Sequence, residues 1–440
     1  MSAEPQPPSG GRRPRPPRFQ HRAQRHAQAH AESALLERPP TYDHPLACND
    51  EPQLIARQQD LLDLIADLRK SGSFAFDSEF IGELTYIPKL CLIQAASTTR
   101  IALIDPLADL DLTPFWELVA DGSVEKIVHA GQQDVEPLFR AIGRPPAGLF
   151  DTQITTGFIG LGHPLSLSKL IYSLVGVKLS KGLTFTHWDR RPLSAQQTLY
   201  AANDVRYLPA ARQEIGRRLD ELGHIAWALE ESASLADPAL YAFDPESGYL
   251  KIRGSSGLPP RNLAVLRELT AWRDVAAQQE NLPPRSLLRD EILLDLARSP
   301  VESTAALGRV RGLPRPVESA YGPRIVEVTA RALAMPPEQW PPSRNHEPPP
   351  EEKFRADALH VAAQCLCAGR QIDPSLLTSR QEIGELYRRV IAGESPDGLR
   401  ILQGWRRAAV GQALLDLMAG RASFCANWAN GSLRTVAGPI

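Results

Sequence analysis

The sequence predicts a mixed α/β domain of about 190 residues followed by two consecutive small helical bundles. Three observations carry this prediction. Between Thr41 and Asp237, β-rich runs come first and helical patterns follow. The stretch GSSGLPP at 254–260 then opens a region whose periodicity is helical throughout, and a second proline-rich stretch, PPSRNHEPPPEE at 341–352, separates that region from another helical set. The boundaries read as a basic Pro/Arg-rich tail at 1–40, the α/β domain at 41–237, a linker at 238–257, a bundle at 258–340, a linker at 341–352, a second bundle at 353–430 and a short tail at 431–440. Linkers of this length permit a monomer with mobile bundles.

In order along the chain, the first segment carries Arg12, Arg13, Arg15, Arg18, Arg22 and Arg25 among prolines, with almost no large apolar side chains. Such a composition cannot bury enough surface to offset the entropy of ordering. Ser73–Phe80, Lys89–Ala96 and Arg100–Ile104 are short β-rich runs separated by turn-like segments, the pattern of an antiparallel meander, and Lys126–His129 is a further strand. Helical patterns occupy Leu112–Ala120, Val135–Ala141, Thr152–Ile159, Leu167–Leu174 and Ala195–Ala210. In the first bundle Val265, Leu269, Trp272 and Ala276 form one apolar stripe, Asp290 is the candidate cap of a second helix, and Ile325, Val328 and Ala332 mark another. In the last region Leu359, Ala362, Ala363 and Leu366 begin a helix, Ser379 with Glu382 forms a capping box before Ile383, Leu386, Tyr387 and Val390, and Gly420 closes a helix begun near Trp405.

Composition excludes several classes. Of 440 residues, 43% are hydrophobic and 23% charged, mean hydropathy is -0.25, and no uninterrupted apolar stretch reaches the ~20 residues of a membrane span. The formal charge of -2 means that contact with nucleic acid must come from local basic surfaces. Cys48, Cys91, Cys365, Cys367 and Cys425 are poor material for a disulfide framework and fit a reducing compartment. Cys365 and Cys367 lack a partner cluster at zinc spacing and read as packing residues. The N-terminal segment has no short apolar core of a secretory signal, which points to the cytoplasm.

The chemistry resides in a few acids. Period-two alternation places Asp77 and Glu79 on one face of their strand and Phe74, Phe76 and Phe80 on the other. Two carboxylates this close repel unless a cation lies between them, and Mg²⁺ or Mn²⁺ prefers such oxygen ligands. The phenylalanines argue for a buried strand, in which unpaired acids are costly. Asp134 follows HAGQQ at the start of a helix, where an acid also complements the dipole, and His129 alone reads as a packed residue. Tyr200 and Asp204 share a helical face one turn apart, an ordinary pair in isolation.

Taken together, FDSEF with Asp77 and Glu79, HAGQQD with Asp134 and YAAND with Tyr200 and Asp204 resemble the three exonuclease motifs of the DEDD superfamily, in the subgroup with a tyrosine in the third motif. FDTQIT at 150–155, SLSKL at 166–170 and FTHWDRRPLS at 185–194 are similar to the ribonuclease D family. RNLAVLRELTAWRDVAAQQENLPP resembles the HRDC module, and the last bundle resembles that family's second, more divergent copy. The likeness covers about residues 45–425 in the family's order. Two positions depart from it: Ser78 replaces the usual threonine on the side of the strand away from the acids, and His187 replaces an aspartate before Trp188.

The resemblance implies an RNase H-like exonuclease domain, a mixed sheet flanked by helices, followed by two all-α HRDC-like bundles. It implies hydrolysis of the 3′-terminal phosphodiester of RNA with release of nucleoside 5′-monophosphates, and precursor tRNA as the substrate class. The implied cofactors are two Mg²⁺ or Mn²⁺ ions held by Asp77, Glu79, Asp134 and Asp204. Asp77 bridges both, Glu79 and Asp204 complete the site of the ion that activates water, Asp134 helps to hold the other, and Tyr200 orients the attacking water. Lys181, Arg190 and Arg191 flank the last motif as phosphate contacts, and Arg309 and Arg311, with Arg315, offer a basic grip on the first bundle. His129 and Gln133 stay outside the catalytic set, since packing explains them equally well. No membrane and no obligate protein partner is implied. Two other readings stand beside this one: a 3′-to-5′ DNA exonuclease using the same acids, and a catalytically silent RNA-binding protein.

Overall fold

Six strands form the sheet of the first domain in the order β1-β4-β3-β2-β5-β6. They are β1 (Gln53–Ile55), β2 (Ser73–Ile81), β3 (Lys89–Ala96), β4 (Ile101–Ile104), β5 (Glu125–Val128) and β6 (Leu149–Asp151). The computed structural model describes residues 44–82, 84–179, 187–342, 349–429 and 432–439; the basic N-terminal tail lies outside them. β2, β3 and β4 make the expected antiparallel meander, while β1 runs parallel to β4 and β5 and β6 run parallel in sequence beside β2. β1 and β6 are three residues each, too short to show a period, which is why the sequence reading lacks them.

Among the described residues eight helices surround the sheet: α1 (Gln58–Ser71), α2 (Thr113–Val119), α3 (Gln132–Ile142), α4 (Thr152–Thr156), α5 (Leu167–Val175), α6 (Ala195–Arg206), α7 (Leu208–Leu222) and α8 (Ile225–Ala233). α1 was not expected, yet it buries Leu61, Leu64, Ile65 and Leu68 against the sheet and stops at Gly72, whose φ of 72° suits glycine. The single helix expected over Ala195–Ala210 breaks at Tyr207, because Pro209 at the start of α7 has no N–H to continue the ladder. On one side of the sheet Phe74, Phe76 and Phe115 form a buried aromatic group with centroids 6.0–6.3 Å apart. The other side packs Phe150, Phe158, Ala202 and Val205 beneath α4, α6 and α7.

The two C-terminal bundles repeat one plan. α9 (Pro260–Gln279), α10 (Pro284–Leu287) and α11 (Asp290–Arg298) are matched at one constant spacing by α14 (Pro350–Gly369), α15 (Pro374–Leu377) and α16 (Arg380–Ile391); between them lie α12 (Thr304–Leu307) and α13 (Arg315–Leu333). The turns after α9 and α14 both pass through a non-glycine residue at positive φ, Asn281 at 49° and Gln371 at 55°. Ser379 caps α16 by accepting from the Glu382 amide, but the Glu382 side chain turns to Thr378 and the Ile401 amide, so only half of the expected box forms.

Several boundaries differ from the sequence reading. Residues 248–251 and 255–257 form 3₁₀ turns rather than a bare linker, and Tyr249, Ile252 and Leu258 lie in the core of the first bundle. Glycines and prolines there make turns that present apolar side chains inward. Beyond Gly420 the chain forms an antiparallel hairpin, β7 (Ala422–Ala429) with β8 (Ser432–Pro439), where a helical end and a tail were expected. The last bundle is not a mobile appendage. Leu359, Leu366, Leu376, Ile401 and Trp405 share one core with Phe158, Leu208 and Ala228 of the α/β domain. The Phe158 and Trp405 rings meet edge-on at 4.8 Å.

That junction is pinned by a buried acid. Glu231 of α8 accepts from Arg406 Nη2 at 2.7 Å, Arg400 Nη2 at 3.0 Å and Trp405 Nε1 at 2.7 Å. Burial alone pushes its carboxyl up, but these donors and guanidinium charges hold it below the ordinary 4.5. An acid depressed on folding adds stability above its unfolded pKa and loses it as pH falls through the folded value. Glu231→Gln is therefore expected to cost about 3 kcal/mol at pH 7, by leaving buried Arg406 uncompensated. In denaturant titrations the gap to the parent protein should close on acidification below about pH 4; a gap of constant size would reject this account.

Candidate active site

The site forms where β2 outruns its parallel neighbour. β2 pairs with β5 only over Ser73–Ala75, while its pairing with β3 continues to Ile81, with a register shift between Glu79 and Phe80. Asp77 and Glu79 thus stand beyond the carboxyl end of β5, at the crevice where open α/β sheets bind ligands. The chain leaves β5 through His129, Ala130 and Gly131 and enters α3, which carries Asp134 in its first turn. Asp151, buried at the end of β6, holds this turn: its carboxylate accepts from the amides of Ala130 at 3.2 Å and Gly131 at 2.9 Å and caps α4 through Gln153 and Ile154 at 2.8 and 3.2 Å. A Cβ on Gly131 would lie 2.5 Å from Val128 Cγ2, so the turn closes only with glycine there.

α6 brings the third motif. Ser194 and Gln197 form a complete capping box at its start, and Trp188, Cys91, Leu92, Leu103 and Ala201 pack its inner face onto β3 and β4. Tyr200 and Asp204 then project into a cleft of about 310 Å³ with Asp77, His129, Ser166, Leu167 and Asn203.

The electrostatics are those of crowded acids. Burial, then Asp77, raises Glu79 to about 8. Asp134 rises well above the carboxylate range through burial, then the charge of Asp77 and a hydrogen bond shared with it. Asp204 rises through burial, Asp77 and Glu79. Asp77 is raised by burial, tempered by the Ser78 amide at 2.9 Å and by Asp134. Every charged neighbour that shifts these four groups is another acid. The Tyr200 phenol is pushed up by burial and by Asp204, Glu79 and Asp77, so it keeps its proton at neutral pH.

A four-carboxylate set without an internal cation fits hard divalent ions in donor type, charge and burial. It does not enclose a point as it stands: among the described residues no three His, Cys, Asp or Glu side chains are set to hold one ion together. The acids share an electrostatic neighbourhood and hydrogen bonds rather than a closed cage.

A family model described as 3′-5′ exonuclease matches residues 52–220, and one described as HRDC domain matches residues 262–329. A ribonuclease D of Gluconacetobacter diazotrophicus is 36% identical over 374 residues, 84% of this chain and 94% of that one. The chain belongs to the ribonuclease D family. A second ribonuclease D, from Bartonella henselae, is 31% identical over 386 residues, 87% of this chain and 93% of its own. The crystal structure of Escherichia coli RNase D, described as an exoribonuclease involved in structured RNA processing, superposes with a TM-score of 0.74 at 28% identity, covering 84% of this chain and 99% of that one. The fold is therefore the exonuclease fold of that family followed by a helical HRDC region, and the activity is that of a 3′-to-5′ exoribonuclease.

Within this ribonuclease D fold, Asp77, Glu79, Asp134, Tyr200 and Asp204 come together. The basic residues fare differently. Lys181 lies outside the described residues. Arg191 is not a phosphate contact: both oxygens of Asp105 accept from it at 2.6 Å, and the carbonyls of Trp188 and Cys91 accept at 2.8 and 2.7 Å. It braces the loop before α6. Arg190 is exposed and so are Arg309, Arg311 and Arg315. His187 is exposed as well, while Trp188 behind it is buried, so the departure from the family leaves the loop's anchor intact. Ser78 does point away from Asp77 and Glu79, but not from every acid. Its buried hydroxyl makes no hydrogen bond of standard geometry, yet it lies near enough to Asp134 to temper that carboxyl's rise.

Two contributors escaped the sequence reading. Gln94 is fully buried on β3 and its Nε2 reaches Glu79 Oε1 at 3.5 Å; a lone amide within the apolar run KLCLIQAA was the available signal. Asp151 carried no assigned role because its partners are backbone amides, which no side-chain pattern reveals. Removing one of the crowded charges should relieve the fold while ruining the site. Asp204→Asn is expected to raise the metal-free melting temperature by the equivalent of about 1–2 kcal/mol. Added Mn²⁺ should raise the melting temperature of the parent protein and leave this variant almost unmoved. Equal Mn²⁺ shifts in both proteins would exclude Asp204 as a ligand.

Proposed function

We propose that this ribonuclease D removes nucleotides one at a time from 3′ tails of structured RNA, precursor tRNA foremost, releasing nucleoside 5′-monophosphates in a reaction that requires two divalent cations, Mg²⁺ or Mn²⁺. The observation that carries it is the set of four carboxylates, Asp134 buried and the other three half-buried, whose charged neighbours are all acids. Bound ions would supply Lewis acidity and a water of lowered pKa. Asp77, whose charge acts on Glu79, Asp204 and Asp134 alike, would be the acid common to both ion sites. Tyr200, protonated and directed into the cleft, orients water through its hydroxyl rather than acting as a base. Glu79 is also the acid we assign to the ribose at the 3′ end, whose 2′-hydroxyl distinguishes RNA from DNA.

Arg190 and the exposed Arg309, Arg311 and Arg315 are read as contacts to backbone phosphates, with the basic N-terminal segment adding diffuse attraction. The last bundle is read as a second HRDC-like copy, supported by its repeat of α9–α11. The free thiols of the five cysteines support a reducing, cytoplasmic setting, and no helix among the described residues is long and apolar enough to cross a membrane. The E. coli relative's description as an enzyme of structured RNA processing favours RNA over DNA.

The deciding experiment is digestion of a tRNA carrying a 3′ extension, alongside a matched DNA oligonucleotide. Stepwise 3′ shortening to 5′-monophosphates, abolished by EDTA and reduced at least about 10³-fold in Asp77→Asn, is the expected result. Equal or faster loss of the DNA, or an undiminished rate in Asp77→Asn, would overturn the proposal.

A further inference from the structure

A second cavity, of about 560 Å³, is lined by Phe80 and Gln133, the chain neighbours of Glu79 and Asp134. Phe80, Ile87 and Pro88 wall it on one side and Pro137 and Arg140 on the other. Phe80 follows Glu79 directly, and Pro137 and Arg140 lie on α3 beyond Asp134. Ile87 and Pro88 of the first wall belong to the loop between β2 and β3, and among its described residues Leu84 is 71% exposed and Ile87 44%.

What ties the loop down comes from the HRDC module. The Tyr86 phenol donates to the carboxylate of Asp274 on α9, 3.0 Å from each oxygen, and the Tyr86 amide donates to Asn281 Oδ1 at 3.2 Å. The ring packs on Ala276, Ala277 and Leu287. Asn281 is the residue at positive φ that closes α9, so its side chain is aimed by a turn peculiar to the module. At the equivalent turn of the last bundle, Asp373 meets the loop at Gly157 and His163, its amide donating to the Gly157 carbonyl at 2.7 Å. Each repeat thus grips the exonuclease domain with the same corner.

We propose that Tyr86 is a positioning residue through which the HRDC module holds the wall of the cavity beside the catalytic carboxylates, so that docking of the module sets how firmly an RNA tail is held there. This rests on the exoribonuclease reading. The tether is a hydrogen bond to an ionised group, the stronger kind, and the phenol, pushed up to about 12 by burial and Asp274, remains a donor throughout the working pH range. None of the four acids lines the cavity or touches the tether, so loosening the wall acts on substrate grip and leaves the chemical step alone.

The test compares Tyr86→Phe, Asp274→Ala and Asp274→Asn in the full chain on a single-stranded RNA tail. Tyr86→Phe and Asp274→Ala should raise KM about three- to tenfold with kcat held within about twofold, and with the Mn²⁺ dependence of activity and of melting unchanged. Asp274→Asn retains an acceptor oxygen and should restore KM to near the parent value. Unchanged KM in both disrupting variants, or a fall in kcat at constant KM, would overturn the proposal. A parent protein that degrades no RNA would instead refute the exoribonuclease reading. The tether would then be judged by hydrogen exchange of residues 82–88, which must quicken in Tyr86→Phe if it holds.

Discussion

Mutual repulsion among four crowded, largely desolvated carboxylates is the constraint on which the rest of this structure depends. Asp77, Glu79, Asp134 and Asp204 come from a strand and two helices, and the charge of Asp77 raises each of the other three. Nothing in their own interaction draws them together; burial and charge both oppose it. Their convergence is imposed by the frame around them: the overhang of β2 past β5, the turn held by Asp151, and α6 fastened through Trp188 and Arg191. Stability is surrendered at this point and recovered in the aromatic and aliphatic cores on both sides of the sheet.

The frame extends beyond the exonuclease domain. The last bundle shares a core with it and is locked by Glu231, while the first touches it through Tyr86 and a small apolar patch. Two copies of one helical plan have thus come to different uses. One has its apolar face committed to the catalytic domain. The other keeps Arg309, Arg311 and Arg315 in solvent and meets the loop after Glu79 through two hydrogen-bonding residues, Asp274 and Asn281, and that patch.

Charge was a poor guide at single positions. Arg190 and Arg191 are adjacent and looked equivalent, yet one is exposed and the other is consumed by Asp105 and three carbonyls. Ser78 faces away from its neighbours Asp77 and Glu79, as strand alternation requires, and still lies beside Asp134, which arrives from α3 on the opposite face. Alternation orders side chains along a strand but is silent on what packs over it.

What the sequence determined by itself was local in origin. The meander followed from period-two runs, the bundle helices from apolar stripes, and the family from short motifs in which acid, aromatic and glycine stand at fixed offsets. What only the tertiary structure decided was non-local. β1, β6 and the C-terminal hairpin exist through pairing partners, and the 238–257 segment folds because Tyr249 and Ile252 find a core. Arg191, Asp151 and Tyr86 owe their roles to partners distant in the chain. Backbone periodicity is written in neighbouring residues, whereas a hydrogen bond or a shared core depends on which surfaces meet, and that is settled only when the chain closes on itself.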